Sequence, residues 1–512
     1  MKKITTIALM ALAISACTVE NDKVESLSPN PSTPVSRTEI DQAIFKSLQD
    51  NGKFEWSSVS DATVWSALTQ SDKVLSVGYK PENEGNIDAK IHLIDINETA
   101  WKTAREKVLD IIYEEESKSN PSLKRSELIV FDESILPVLD VRVGNLSTIE
   151  RLRASKLVRY AEPMGYEVKT SSDAKSKVNS DSGCDSNTPE TGLNSTDFTT
   201  ISPNAKASWN YAYHSVTQAW AKSTGSGAKM VIIDTGCSDG QENLGSAFNQ
   251  GSSSGRTVEK LVTLPRDRFL GIPIGPVETP NDACGHGTSM QGAACGPRGT
   301  DGNTAGIAYN ANLISIRAAK DVFLNESRES KGVADAFTLA GNRSDVRVIS
   351  MSMGNIISSG QIADGVRYAY GKGKLIFCAA GTSFGWTAGW AGVIFPASMA
   401  EAVAVTGIKD NLTQRCDACH EGGDVDFVVV MEKASGGRKP LSLAMSGDVP
   451  STVGGSSVAT ASTAAMATLI FSKYPTWTRS QVFNRMKENG SYYPSRNGNF
   501  GWGRVNINNA LN

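Results

Sequence analysis

Three short segments of this 512-residue chain hold the residue types that nucleophilic acyl transfer needs. VIIDTG at 231–236 contains the carboxylate of Asp234, CGHGTSMQGAACG at 284–296 carries His286, and GGSSVATASTAAMA at 454–467 carries Ser457. A serine hydroxyl is a weak nucleophile until an imidazole takes its proton. The imidazole in turn needs a carboxylate to fix its tautomer and stabilise the cation it becomes. Acid, base and nucleophile follow one another at long range, so only the fold can assemble them.

The elements that must position them are legible around each residue. Val231-Ile232-Ile233 predicts a buried parallel strand whose C-terminal end, at Asp234, opens onto a turn, where α/β sheets place their ligands. Glycines flank His286 and allow a sharp turn and a close backbone approach, and the following residues suit the start of a helix. Gly454-Gly455 precede Ser456-Ser457 and an alanine-rich stretch to Phe471. This predicts a buried helix with Ser456 as its cap and Ser457 in the first turn, whose own N–H, at the positive end of the helix dipole, can hold an oxyanion. His92, His214 and His420, the other three histidines, have no such setting.

With these motifs the chain resembles the subtilisin-like serine endopeptidases, or subtilases, over roughly residues 205–512. The family's GTSMAxP pattern stands here as Gly455-Ser456-Ser457-Val458-Ala459-Thr460-Ala461, and alignment on Gly455 and Ala459 selects Ser457 over Ser456. VISMSMG at 348–354, IFCAAG at 376–381 and the tail FGWGRVNINNAL match as well. The resemblance implies an α/β fold, a three-layer α/β/α sandwich with a mostly parallel central sheet, and peptide-bond hydrolysis through an acyl-enzyme by Asp234, His286 and Ser457. It also implies that Ser352, Met353 and Gly354 form one edge of a groove for a protein or peptide substrate, and that Ala379, Ala380 and Gly381 line the pocket for the residue before the scissile bond. No cofactor is required by this chemistry; calcium is a candidate ion by resemblance alone, and no ligand spacing for it is readable.

One position departs from the family. Where an asparagine amide usually donates to the oxyanion, this chain has Thr382. Loss of one such donor costs on the order of 100- to 1000-fold in turnover in a subtilisin. A threonine hydroxyl can donate too, although it is shorter, so Thr382 is expected to join the Ser457 N–H at the oxyanion, directly or through a bridging water, in a working but slow protease. Thr382 is also the residue on which the alternative reading rests, a pseudo-protease that binds peptides in the same groove without cutting them.

The first residues predict a location. Met1-Lys2-Lys3 is a basic start, Ile4–Ala16 an apolar run too short to span a bilayer, and Ile14-Ser15-Ala16-Cys17 resembles the end of a bacterial lipoprotein signal, with Cys17 the lipidated residue. A lipid-anchored protein of the bacterial cell envelope is expected. Residues 17–38 read as a polar tether, 39–168 as a small α+β domain with an antiparallel sheet, 169–208 as an exposed linker, and 209–512 as the catalytic domain. In the α+β domain, strands are expected at 73–79, 90–96, 127–131, 138–143 and 157–163, with helices at 98–117 and 147–154. The stretch VLDVRVGNLSTIERLRASKLVRYAEP resembles the end of subtilase propeptides. This implies a zymogen whose own propeptide assists folding, inhibits the enzyme and is removed by cleavage in the linker.

A net charge of −3 gives no electrostatic footprint for nucleic acid. Eight cysteines less Cys17 leave an odd number, so at least one thiol is unpaired within the chain. Cys237 and Cys284 flank the candidate site and could bond if their loops meet. Cys416-Asp417-Ala418-Cys419-His420 has the C-x-x-C-H spacing of haem attachment, but it lies inside the region resembling a subtilase core, so a loop disulfide or free thiols is the expected state.

Overall fold

The computed structural model describes residues 33–169, 184, 187–269, 272–382 and 390–512. Cys17, the apolar run before it and most of the expected tether lie outside the described residues, as do 170–183, the greater part of the expected linker's first half.

The N-terminal domain begins with α1 (Arg37–Asn51), where Ile40, Ile44 and Leu48 recur on one face and Ser36 and Glu39 form a reciprocal capping box. It continues through α2 (Asp61–Thr69), β1 (Val74–Tyr79), α3 (Ile87–Lys90), α4 (Thr99–Ser119), β2 (Ile129–Phe131), β3 (Val138–Arg142), α5 (Leu146–Ala154) and β4 (Val158–Pro163). The four strands pair antiparallel in the order β2-β3-β1-β4. Leu75, Val77, Leu139 and Val141 pack with Ile149, Leu152, Val108 and Ile112 in this domain's own core.

Two expectations fail here. Residues 90–96 are not a strand: Ile91–Leu93 form a 3₁₀ turn directly after α3. They take no place in the four-stranded sheet, and Ile91 turns instead against Tyr368 and Ala334 of the following domain. The helix at 37 also starts inside the stretch read as tether.

Beyond residue 187 the chain forms β5 (Phe198–Ile201), β6 (Ala205–Ser208), α6 (Val216–Ala219), β7 (Lys229–Asp234), β8 (Val258–Val262), β9 (Arg268–Phe269), β10 (Ile272–Pro273), α7 (His286–Cys295), β11 (Asn312–Arg317), α8 (Ser327–Asn342), β12 (Val348–Met351), α9 (Gly360–Gly371), β13 (Leu375–Ala379), β14 (Val403–Lys409), β15 (Val425–Glu432), α10 (Gly455–Lys473) and α11 (Arg479–Glu488). Seven strands make one sheet, parallel throughout, in the order β15-β14-β13-β12-β7-β11-β8. Side chains alternate across it. Met230 and Ile232 of β7 join α7, α10 and α11 on one face, while Val231 and Ile233 join α8 and α9 on the other. The architecture is thus the expected three-layer α/β/α sandwich.

From β7 the chain runs to β8 and β11 on one side and to β12 through β15 on the other. Asp234 ends the strand at which this order reverses, and a crevice opens at such a switch point.

The part of the expected linker that is described belongs to this body. The β5–β6 hairpin hydrogen-bonds to Asn303 and Ala305, and Asp197 is fully buried against Arg438 and Lys433. Its Ser, Thr, Asn and Asp content reads as a loop, yet its small residues, Ala205 and Ala207, pack inward.

The N-terminal sheet presents its second face to α8 and α9. Arg159 pairs with Asp364, Tyr160 donates to the same carboxylate at 2.9 Å, and Glu162 accepts from the N–H of Gly360 at the start of α9 at 2.7 Å. Gln361 donates to Asp140 at 2.8 Å, and Lys331 of α8 meets Glu133 at 3.1 Å. Burial pushes both Asp140 and Glu162 up to about 7. Among the described residues no helix is long and apolar enough to cross a membrane.

Candidate active site

Asp234 is 1% exposed, and its Oδ1 lies 2.7 Å from His286 Nδ1. The same oxygen accepts from the backbone N–H of Thr235 at 2.8 Å. His286 is the first residue of α7, and the turn before it explains its glycines. Gly285 sits at φ +88, where an L side chain is strained, and a Cβ on Gly287 would stand 2.3 Å from the Gly236 carbonyl.

The imidazole is tuned in the direction a base requires. Burial alone would lower its pKa, but the charge of Asp234 and the hydrogen bond the ring donates to it outweigh burial, with Asp282 and Asp321 adding to them, so His286 is raised above its ordinary 6.5. The other three histidines all shift down: burial takes His214 and His420 to about 4, and burial with Lys372 and Arg479 nearby lowers His92.

Sequence reasoning missed Asp282. Fully buried, it accepts the N–H groups of Cys284 at 3.0 Å and Gly285 at 2.7 Å through Oδ1, and the N–H and hydroxyl of Thr288 at 2.9 and 2.7 Å through Oδ2. Thr235 bridges the two acids' neighbourhoods. Its hydroxyl lies 2.9 Å from Asp282 Oδ1 and accepts the N–H of Gly287 at 2.9 Å. Gly285 offers α7 no capping side chain, and Asp282 takes over that work from three residues upstream. An aspartate shortly before an uncapped glycine and a helix start was the available signal.

Ser457 is the third residue of α10, and α10 packs against α7. Its hydroxyl donates to the Ser352 carbonyl at 3.3 Å rather than to His286, and Ser352 Oγ returns a bond to the Ser457 carbonyl at 2.9 Å. Ser456, the expected cap, makes no capping bond; it is buried and its hydroxyl lies 3.0 Å from Thr382 Oγ1. Thr382 therefore reaches the N-terminus of α10, where the first N–H groups of the helix have no intrahelical partner.

The expected substrate residues are placed unevenly. The Met353 side chain is buried in the core under α8 and α9. Gly354 is paired already, donating to Val322 at 3.2 Å and accepting from Leu324 at 3.4 Å, so a peptide adding to that edge has to displace residues 322–324. Ala379, Ala380 and Gly381 are buried at the end of β13. The carbonyls of Ala380 and Gly381 accept from Ile394 and His420 at 2.9 and 3.0 Å.

Cys284 does not bond Cys237. Its partner is Cys184, while Cys237 is a free thiol packed in the core. Cys416 and Cys419 form a disulfide, which leaves no thiol for haem attachment, and His420 Nδ1 lies 2.8 Å from the Gly392 carbonyl. For calcium, the described residues contain no group of three or more His, Cys, Asp or Glu side chains able to hold a metal ion.

Comparison with known proteins adds a lineage. The model of the subtilase family matches residues 225–503. Thermitase of Thermoactinomyces vulgaris is 28% identical over 194 residues, covering 38% of this chain and 60% of that one. The alkaline protease of Alkalihalobacillus alcalophilus is 27% identical over 286 residues, covering 55% of this chain and 64% of that one. The chain thus spans a little over three-fifths of the length of these relatives. Among solved structures, MycP1 from Mycobacterium smegmatis aligns with a TM-score of 0.46 at 20% identity, over 64% of this chain and 91% of that one.

Proposed function

Because the chain belongs to the subtilase family, we propose that it is a serine endopeptidase in which Ser457 attacks the peptide carbonyl, His286 takes its proton, and Asp234 orients the ring. The observation that carries this reading is the buried 2.7 Å contact of His286 with Asp234 at the switch point of the sheet, in a histidine whose pKa is shifted upward. For the reaction the Ser457 hydroxyl has to leave the Ser352 carbonyl and donate to the imidazole; catalytic hydrogen bonds of this kind commonly tighten only with substrate bound. The Ser457 N–H and the Thr382 hydroxyl then face the developing oxyanion. His286 returns the proton to the leaving amine, and water completes the second half by the same route.

The proposal extends to a zymogen anchored through Cys17 in the bacterial cell envelope. In support, the N-terminal domain lies on α8 and α9, and its residues Gly165, Glu167 and Lys169 share a cleft with Phe323 and with Asp321, whose charge acts on His286. Of the stretch 169–208 in which cleavage is expected, residues 170–183, 185 and 186 lie outside those described.

A fluorophosphonate probe tests the central claim. One equivalent should attach to Ser457, read by intact mass and peptide mapping; a folded protein that takes up none is a peptide-binding relative instead. The pH profile gives an independent reading. The base must be neutral, so kcat/KM should fall as pH drops through a pKa above 6.5. By linkage the same raised pKa contributes stability below the ordinary value that is lost as pH rises through the folded one. A kcat/KM that stays flat through the acid range down to the carboxylate pKa values would remove His286 from the role of base.

A further inference from the structure

The turn that carries His286 is held from outside as well as from within. Cys284 is bonded to Cys184, 100 residues earlier, with Cα atoms 4.4 Å apart. Asn187, 5% exposed, donates its side-chain amide to the carbonyl of Gly285, the residue immediately before His286. It packs flush against that glycine: a Cβ on Gly285 would stand 2.9 Å from the Asn187 Cβ. Asn187 is itself fixed, because its carbonyl accepts the Met445 N–H at 3.3 Å, and the chain is tied again at Glu190, whose N–H donates to the Pro450 carbonyl at 2.9 Å.

These contacts complement those of Asp282. The carboxylate holds the N–H groups of residues 284 and 285 from inside, Asn187 holds the carbonyl of 285 from outside, and Cys184 holds the side chain of 284. A turn with a left-handed glycine and no capping side chain is a place where a loop drifts, and a drift of about 1 Å at a base costs up to roughly 100-fold in rate. General stabilisation does not require a tether at this point. Two independent ties on the two residues before the base point to positioning.

We propose that Cys184 and Asn187 are positioning residues for His286, and that the Cys184–Cys284 bridge makes turnover depend on thiol oxidation. This rests on the protease reading above. Reduction by a dithiol breaks the S–S bond through a mixed disulfide. Two electrons and two protons pass to the protein, leaving thiols at 184 and 284 and a cyclic disulfide on the reagent.

The test measures kcat, KM and the pH profile of the full chain on a chromogenic peptide, with fluorophosphonate labelling alongside. Cys184→Ser and Asn187→Ala should each lower kcat roughly 10- to 100-fold, with KM changed less than about twofold. The acid limb should move down toward the ordinary histidine value as the Asp234 contact loosens. Dithiothreitol should produce the same loss in wild type, reversed on reoxidation, and no further loss in Cys184→Ser, which still contains Cys416–Cys419. A folded Cys184→Ser with wild-type kcat and pH profile, changed only in melting temperature, overturns the proposal. Should that variant not fold, wild type whose Cys184–Cys284 bridge is shown by thiol mapping to be open, and whose kcat is unchanged, overturns it equally. Wild type that resists the fluorophosphonate sinks the protease reading itself, whereas labelled wild type with unaffected variants sinks only this inference.

Discussion

Ser457→Ala is expected to lower kcat on the order of 10⁶-fold, the loss known for the same change in a subtilisin, and to leave the fold intact. The substitution removes one oxygen at a half-buried position, and the Ser352 hydroxyl still reaches the Ser457 carbonyl. Ser456 cannot stand in, being 1% exposed with its hydroxyl on Thr382. Because nucleophile and base act as one unit, His286→Ala should cost a similar amount, and the double variant should lose little beyond either single change. The same alanine should stop release of the N-terminal domain if cleavage is self-inflicted, which intact mass reads directly. A kcat loss below about 100-fold would place the nucleophile elsewhere.

Asp234→Asn should lower kcat about 10⁴-fold, through the tautomer more than through charge. The Asp234 Oδ1 accepts both the His286 ring N–H and the Thr235 N–H, while Oδ2 is buried without a hydrogen-bond partner. An asparagine that keeps its oxygen at the first position buries an unpaired NH₂ at the second, at a cost of about 1–3 kcal/mol. Flipped, it points a donor at Nδ1 and drives the ring proton to Nε2, the nitrogen that must accept from Ser457. Either arrangement removes the charge that raises His286, so the residual activity should show its acid limb displaced to lower pH. A drop of less than tenfold, or an unmoved acid limb, would show that Asp234 is structural.

The sequence exposed these residues because each sits where a periodicity breaks: β-formers stopping at Asp234, glycines around His286, glycines before the helix of Ser457. The sheet and its flanking helices followed from the same patterns. What stayed hidden depended on tertiary contacts. Ile91 alternates like a strand residue but is captured by Tyr368 of the other domain. Met353 and Gly354 look like a free edge, but the core and residues 322–324 take them up. Cys184 lies in a polar stretch that gives no hint of its partner, and the tempting pair, Cys237 with Cys284, is closer in sequence yet not bonded. The capping box of Ser36 and Glu39 was written in plain local code and still fell inside an apparent tether, since Pro and Ser before it read as loop.

The helix α10 is buried without interruption from Val458 to Phe471, packed on β12, β13, β14, β15 and α7. A helix with no solvent face cannot persist until its surroundings exist. It is also synthesised after every strand of the seven-stranded sheet, so most of its contacts join residues distant in sequence, and such contacts form late and slowly. The event that closes the core is therefore the event that delivers Ser457. On the proposed assignment of roles, a nascent or half-folded chain has its acid and base but no nucleophile in register, and should be unable to digest its own unfolded segments while it is being made. Cutting power would then begin with the completed core.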